Sequence, residues 1–172
     1  MTNVLKQFDR LPEGLSINLA DALNRIASVA QKLSYIISKG ELGDELQQKT
    51  LINSDGDDQK PLDVFADEAY KKAMSNSSIR LYASEEQAEV IDLGGTGSLA
   101  LAIDPLDGSS NIDTNVSIGS IFSIRAIPDD VKNSSDEFTQ IFLSPASNQL
   151  AAGYVIFGPQ TILVFTAGKG IL

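Results

Sequence analysis

The 172-residue sequence contains no cysteine and no histidine. Without cysteine the chain has no disulfide, no thiolate nucleophile and no cysteine zinc site. Without histidine it has no imidazole to serve as a general base, which removes the usual hydrolase triads. These two absences exclude most triad enzymes and most transition-metal sites, so carboxylates are the principal candidates for any acid–base chemistry.

Long apolar runs are also missing. No segment of about 18 apolar residues occurs, and the N-terminus has no signal-peptide-like apolar stretch, so we expect a soluble cytoplasmic protein. The formal net charge is −10, from 13 Lys and Arg against 23 Asp and Glu. This acidity argues against nucleic acid or an anionic membrane as a partner. A phosphate-bearing partner would require cations brought in from solution.

The residue pattern predicts two helices followed mainly by strands. Apolar residues spaced by three and four predict a long helix from Ser16, with Ser16 or Asn18 as N-cap and Gly40 as its stop. Pro61 is placed to open a second helix that ends near Asn76. Strand patterns follow in "IRLYAS", "SLALAI", "VSIGSIFSIRAI" and a probable hairpin of "AAGYVIFG" and "TILVFTAG". The predicted fold class is α+β, with the N-terminal helices packed on a mainly antiparallel sheet.

Three other stretches lie outside the predicted helices and strands. Residues 1–15 suggest an arm that precedes a single domain over residues 16–172. The polar stretch over residues 40–60 is too long for an ordinary connection, which is typical of a functional or mobile loop. Residues 128–140, "PDDVKNSSDEFTQ", are predicted to form a charged surface excursion between strands.

The densest acidic motif is "AIDPLDGSSNID", which follows the buried "SLALAI" strand. Asp104 and Asp107 lie three residues apart at this strand end, where both carboxylates can converge on one hard cation such as Mg²⁺. Gly108, Ser109 and Ser110 come next and offer backbone N–H groups to an anion. The motif therefore predicts a cation site beside an anion site, an arrangement that fits a phosphate ester.

An alternative interpretation is that Asp-Pro and Asp-Gly are ordinary turn and cap residues. Two further acidic clusters, "SEE" ending at Glu86 and "GDDQKPLD" ending at Asp63, occupy similar strand and helix ends and favour the functional interpretation. If the three clusters meet at one sheet edge, bound cations are needed to offset their repulsion. Glu85 and Glu86 point in opposite directions on an extended chain, so we expect one to be a metal ligand and the other a base.

The motif "DPLDGSSNID" resembles the signature of the class I fructose-1,6-bisphosphatases, with "SEE" upstream and "VSIGSIF" and "AAGYVIFGPQTILV" downstream. This family belongs to the metal-dependent, lithium-sensitive sugar and inositol phosphatase superfamily. Inositol monophosphatases usually carry a DPIDGT form, so Leu106 and "GSSN" favour the bisphosphatase branch. The resemblance extends from about Leu15 to Leu172 and implies the layered sugar-phosphatase fold, first domain only. We expect the family's second, C-terminal domain to be absent from this chain.

The resemblance implies a set of site residues. Metal contacts are expected from Glu85, Asp104, the Leu106 carbonyl, Asp107 and, when the loop over residues 40–60 closes, Asp57. Asp63 and Glu86 are expected to activate the attacking water. The 1-phosphate of the substrate is expected to contact Asp107, Gly108, Ser109 and Ser110. The implied cofactor is Mg²⁺, with Mn²⁺ as an alternative and two or three ions per site.

The implied activity is hydrolysis of the 1-phosphate of fructose 1,6-bisphosphate to fructose 6-phosphate and phosphate, a step of gluconeogenesis. The implied assembly is a homo-oligomer, tetrameric in the family. Sedoheptulose bisphosphatase and inositol-type monophosphatase activities are the neighbouring alternatives. A different alternative is a truncated fragment that binds metal and phosphate without turnover, because the family's sugar pocket lies in the second domain.

The chain departs from the family pattern at its regulatory positions. Members inhibited by AMP carry Thr-Gly-Glu-Leu at the start of the first helix, where Ser16 to Leu19 here read "SINL". They also carry Lys-Tyr before the central strand, where Ser98 and Leu99 stand. Our hypothesis is that AMP does not inhibit through that site. The plastid form's redox switch is excluded because the sequence has no cysteine.

Overall fold

In a computed structural model of the chain, the described residues are 15–39, 61–131, 134–168 and 170. Residues 1–14 of the predicted arm and the predicted loop over residues 40–60 lie outside this part. The described residues contain three α-helices: α1 (Ile17–Lys39), α2 (Pro61–Met74) and α3 (Ser135–Leu143). None of these helices is long and apolar enough to cross a membrane.

The first two helices begin where the sequence predicts. The Ser16 hydroxyl accepts a 3.2 Å hydrogen bond from the Leu19 N–H, which identifies Ser16 rather than Asn18 as the N-cap of α1. The fixed φ angle of proline suits Pro61 to the first position of α2. The apolar positions of α1, including Leu23, Ile26 and Leu33, are fully buried. Both helix predictions are confirmed.

A six-stranded sheet forms the rest of the fold, with strands in the order β2-β1-β3-β4-β5-β6. β1 and β3 are parallel, and the other neighbouring pairs are antiparallel. The predicted α+β class and the β5–β6 hairpin are therefore confirmed. The strand bounds are β1 Ile79–Ser84, β2 Ile91–Asp92, β3 Leu99–Asp107, β4 Ile118–Ala126, β5 Gln149–Phe157 and β6 Thr161–Thr166.

The charged excursion between β4 and β5 contains helix α3, which the sequence pattern did not predict. Ser134 caps this helix by accepting a 3.4 Å hydrogen bond from the Glu137 N–H. Phe138 and Ile141, three residues apart, are buried against Leu81 and Ala100. The polar residues around this short apolar pair concealed the helical spacing.

The main core lies between the sheet and the pair α1–α2. Alternate residues of β4 point towards these helices, namely Ile118, Ser120, Phe122 and Ile124, and all four are buried. Helix α3 packs on the opposite face, over β1 and β3. The remainder of that face exposes large apolar side chains from β4, β5 and β6, which are Ile121, Tyr154, Ile156 and Ile162. We refer to these four residues as the open apolar face.

Candidate active site

The parallel pairing of β1 and β3 brings two acidic segments together. Ser84 is the register partner of Ile103, and the Glu85 N–H donates a 3.2 Å hydrogen bond to the Ile103 carbonyl. Glu85 and Asp104 therefore lie side by side just past the last paired residues of β1 and β3, and their carboxyl groups are in hydrogen-bonding contact. The strand register thus brings together two of the residues predicted as metal ligands.

A bulge in β3 places the second aspartate of the motif on the same face as the first. Asp104 pairs with Ile121 and Asp107 with Gly119, so three steps along β3 match two steps along β4. In a regular strand, residues three apart point to opposite faces. The one-residue bulge cancels that reversal, so Asp104 and Asp107 share the face on which Ile121 lies.

The strand also runs further than predicted, because β3 continues through Asp107 instead of ending at Ile103. After it, Gly108 adopts a left-handed conformation with φ of +77° and leads into a 3₁₀ turn over Ser109–Thr114. A β-carbon at Gly108 would be strained at this φ angle and would lie 3.3 Å from Asn111 Nδ2. The glycine therefore permits the sharp exit from the strand. Ser109 is half-buried there and Ser110 is exposed.

Helix α2 contributes two buried carboxylates on successive turns, Asp63 and Asp67. The Tyr82 hydroxyl donates a 2.8 Å hydrogen bond to Asp67, and the Gln87 amide donates to its other oxygen. Since Gln87 follows Glu86 directly, Asp67 ties the acidic turn after β1 to helix α2. Burial first, and then the negative charges of Asp63, Asp67 and Glu85, raise the pKa of Glu86.

Burial, together with crowding of carboxyl groups, has a large effect on the pKa of Asp104. Its burial, its hydrogen bond with Glu85 and the charges of Glu85 and Asp107 raise the pKa of Asp104 to about 7. The Leu106 N–H opposes the shift by donating a 3.1 Å hydrogen bond to Asp104 Oδ1. A proton held at such a site is the kind that a divalent cation replaces on binding.

The donor set fits a hard divalent cation, because carboxylate and carbonyl oxygens are the ligands that Mg²⁺ prefers in proteins. Within residues 15–39, 61–131 and 134–168, no group of three or more acidic side chains already has a metal-holding arrangement. Asp57, the predicted ligand from the loop over residues 40–60, lies outside the described residues. The described residues thus supply Glu85, Asp104, Asp107 and the Leu106 carbonyl as candidate ligands.

An open cleft of about 690 Å³ lies beside this acidic edge. Glu85 and Asp104 line one end, and Ile121, Tyr154 and Val164 line the apolar remainder. Glu85 and Asp104 are therefore accessible to a molecule approaching from the sheet face opposite α1 and α2.

Three residues that hold this region in place were not predicted from the sequence: Asp67, Tyr70 and Ser120. Asp67 lies one helical turn after Asp63, so the helical period alone indicates that both face the same side. Ser120 interrupts the inward-facing apolar series of β4, and a buried polar residue at such a position calls for a partner. Tyr70 carries no comparable signal, because its pattern on α2 is that of an ordinary core residue.

Comparison with known proteins identifies the relatives of this chain. The sequence profile of the fructose-1-6-bisphosphatase N-terminal domain matches residues 4–172. A class 1 fructose-1,6-bisphosphatase of Cereibacter sphaeroides is 44% identical over 166 residues, which are 96% of this chain and 48% of that protein. A class 1 fructose-1,6-bisphosphatase of Rhodobacter capsulatus is 49% identical over 158 residues, covering 92% of this chain and 45% of that protein.

Solved structures give the same match at the level of the fold. The holo form of Leishmania major fructose-1,6-bisphosphatase aligns with a TM-score of 0.81 and 28% identity, covering 99% of this chain and 54% of that structure. The apo form of the same enzyme aligns with a TM-score of 0.78. The chain spans about half the length of the curated relatives it matches.

Proposed function

The chain belongs to the fructose-1,6-bisphosphatase family, and we propose that it carries the metal site and the 1-phosphate site of a sugar bisphosphatase. The proposed reaction is Mg²⁺-dependent hydrolysis of fructose 1,6-bisphosphate at its 1-phosphate, yielding fructose 6-phosphate and phosphate. The observation that carries the proposal is the contact between Glu85 and Asp104 where the parallel pairing of β1 with β3 ends, within a chain that matches the family from residue 4 to residue 172.

The proposed metal ligands are Glu85, Asp104, the Leu106 carbonyl and Asp107, joined by Asp57. Two or three Mg²⁺ ions, or Mn²⁺ in their place, would bind to this set. When bound, such ions polarise a phosphate ester and lower the pKa of a coordinated water. Bound cations would also offset the burial and the repulsion between carboxylates that together raise the pKa of Asp104.

Asp63 and Glu86 are the proposed proton acceptors for the attacking water. Asp63 is 7% exposed, and Glu86 lies close enough for the Asp63 charge to raise its pKa. A carboxylate with a raised pKa accepts a proton near neutral pH more readily than an ordinary one. This pair would perform the proton transfer for which the chain has no histidine.

The segment from Asp107 to Ser110 is proposed to hold the 1-phosphate. Gly108 has no side chain and a positive φ angle, so the backbone of this segment can approach a phosphate closely. The Ser109 and Ser110 side chains carry hydroxyl groups, which are donors of the kind that contact peripheral phosphate oxygens. Their position directly after Asp107 would keep the phosphate beside the proposed cations.

Phosphate release from fructose 1,6-bisphosphate, measured with Mg²⁺ and with EDTA, tests the proposal. Turnover should depend on the metal. Glu86→Gln and Asp63→Asn should each reduce turnover by at least ~100-fold, the lower range for loss of a general base, while Mn²⁺ binding measured by calorimetry is retained. Glu89→Gln is the matched control, because Glu89 is exposed on the same loop. Normal turnover in both the Glu86 and the Asp63 variants would refute the assigned roles.

A second proposal is that these 172 residues bind metal and phosphate without turnover. It is favoured by their coverage of about half of each curated relative. Mg²⁺ binding without phosphate release by this chain would support it, and turnover by the chain alone would exclude it. The same assay with sedoheptulose 1,7-bisphosphate and inositol monophosphate would test the alternative substrates, and sedimentation would test the proposed homo-oligomer.

A further inference from the structure

Two fully buried hydroxyl groups lie on the helix side of the sheet, opposite the face of Asp104 and Asp107. They belong to Tyr70 of α2 and Ser120 of β4. The Tyr70 hydroxyl donates a 3.0 Å hydrogen bond to Ser120 Oγ, and Ser120 Oγ donates a 2.8 Å hydrogen bond to the Pro105 carbonyl. Pro105 is inside the β3 bulge, between Asp104 and Asp107. A buried chain of hydrogen bonds therefore links helix α2 to the segment that carries the candidate ligands.

The peptide unit between Pro105 and Leu106 is held at both ends. Its oxygen accepts from Ser120, and its N–H donates a 3.1 Å hydrogen bond to Asp104 Oδ1. Because a peptide unit is planar and rigid, a fixed direction for its oxygen fixes the direction of its N–H. The hydrogen bond from Ser120 therefore also fixes the direction of the Leu106 N–H, and this N–H orients the Asp104 carboxylate. Ser120 itself faces the opposite side of the sheet.

The bulge makes this contact necessary. A bulge interrupts the ladder of hydrogen bonds between strands, so a carbonyl within it needs a partner from elsewhere. Pro105 has no N–H, which leaves the carbonyl as its single backbone hydrogen-bonding group. A serine at an inward-facing β4 position, between Ile118 and Phe122, provides that partner from inside the core.

We infer that Ser120, supported by Tyr70, is a positioning residue that orients Asp104 and the Leu106 backbone for cation binding. The inference rests on the proposed function, since it assigns these groups to the metal site. Ser120 acts through the Pro105–Leu106 peptide and does not touch the cation or the substrate. A serine that merely satisfied a core carbonyl would affect stability, whereas a positioning serine also affects metal affinity.

The experiment compares Ser120→Thr with Ser120→Val, because these two residues have the same shape and differ in the hydroxyl group. Mn²⁺ binding to the full chain is measured from the electron paramagnetic resonance of free Mn²⁺. Hydrogen exchange of the Leu106 amide is measured on the same samples without metal. The valine variant should bind Mn²⁺ about 10-fold more weakly than the threonine variant, the lower range for loss of an outer-shell partner. Its Leu106 amide should also exchange faster.

Threonine and valine are both larger than serine and could prevent folding, so two further variants with smaller side chains are included. Tyr70→Phe and Ser120→Ala should weaken Mn²⁺ binding in the same direction, with the smaller loss for the tyrosine change because it removes only the far end of the chain of hydrogen bonds. Tyr35→Phe is the control, because Tyr35 is exposed on α1.

Equal Mn²⁺ affinity and equal Leu106 exchange in a folded hydroxyl-bearing and hydroxyl-free pair would overturn the inference. Failure of the proposed function has a different signature, because the unaltered chain would then bind no Mn²⁺ at all. In that case slower Leu106 exchange with threonine than with valine would still support the positioning of the peptide by Ser120, and equal exchange would refute it.

Discussion

Glu85 and Asp104 hold their carboxyl groups in hydrogen-bonding contact where the parallel pairing of β1 with β3 ends. Burial of Asp104, together with this contact, raises its pKa to about 7. Without a cation, this contact requires a proton. The folded chain therefore carries a site that is electrostatically unfavourable at neutral pH until something positive occupies it. This property makes the candidate site measurable through stability as well as through activity.

The first prediction concerns Asp104→Asn in EDTA. The folded pKa of Asp104 lies above its unfolded value of 3.8, so its contribution to stability is present below about pH 4 and is lost as pH rises through about 7. Asparagine cannot ionise and avoids this loss. We expect the Tm difference, variant minus unaltered chain, to grow by about 2–4 °C between pH 4 and pH 8. This allows for solvent screening of a partly exposed group.

Asp129→Asn, at an exposed position, serves as the control for that change. It should show the same Tm difference at both pH values. A pH-independent Tm difference for Asp104→Asn would show that the carboxyl contact with Glu85 does not govern the stability of this region.

The second prediction concerns the buried hydrogen bond between Tyr82 and Asp67. Tyr82→Phe removes a 2.8 Å donor from a carboxylate that is 2% exposed, so we expect a loss of about 1.5–3 kcal/mol in the free energy of unfolding. Chemical denaturation measures the loss. Tyr35→Phe, at an exposed tyrosine, should change the stability by less than about 0.5 kcal/mol. Equal effects of the two substitutions would contradict the prediction.

The third prediction concerns Gly153 in β5. A β-carbon there would lie 2.8 Å from Phe122 Cζ and would also meet the Val164 carbonyl. Gly153→Ala should therefore destabilise the fold by about 1–3 kcal/mol through overpacking. Gly158→Ala is the control, because its nearest neighbour would be Ser117 Oγ at an ordinary 3.4 Å. If the thermal unfolding of Gly153→Ala matched that of the control, the close packing of the β5–β6 hairpin would be in doubt.

The fourth prediction concerns the open apolar face. Cross-strand pairing places Ile121 beside Tyr154, and both side chains are more than 40% exposed. The native chain should bind an apolar dye such as anilinonaphthalene sulfonate, and Ile121→Thr with Tyr154→Thr should reduce the dye fluorescence by roughly half. Threonine suits strands, so the fold should persist. Ile17→Thr, an exposed change on α1, should leave the fluorescence unaltered.

The fifth prediction concerns AMP. The resemblance implies that the family's AMP-contacting positions correspond here to "SINL" at the start of α1 and to Ser98 and Leu99. Ser16 uses its hydroxyl as the N-cap of that helix. Because a ligand stabilises the fold that binds it, AMP at about 1 mM should leave the Tm unchanged. A rise in Tm, or inhibition of turnover, would refute the hypothesis that this site is lost.

Element positions were largely predictable, because they depend on local spacing. The period of α1, the proline that opens α2 and the apolar strand patterns each reflect the nearest few residues. Helix α3 was missed because two apolar residues, Phe138 and Ile141, give too short a period to detect among polar neighbours. The bulge between Asp104 and Asp107 was also missed, because it is defined by the register with β4 and not by β3 alone.

The sequence by itself determined the chemistry that is available. The absence of cysteine and histidine excludes thiolate and imidazole chemistry, and the three acidic clusters with the "DPLDGSSNID" motif supply carboxylates, serine hydroxyls and backbone groups. Those features are present in the covalent chain whatever its conformation. They also carry the family resemblance, which the comparisons confirm.

The tertiary structure decided which of these groups meet. Parallel pairing joins Glu85 to Asp104, the bulge turns Asp107 to the same face, and buried hydroxyls of Tyr70 and Ser120 hold the Pro105 carbonyl from behind. Each of these relationships either joins residues that are far apart in the chain or depends on the register between strands. The register between two strands depends on which faces of both strands are buried together against the helices. The sequence of one strand alone therefore does not predict it.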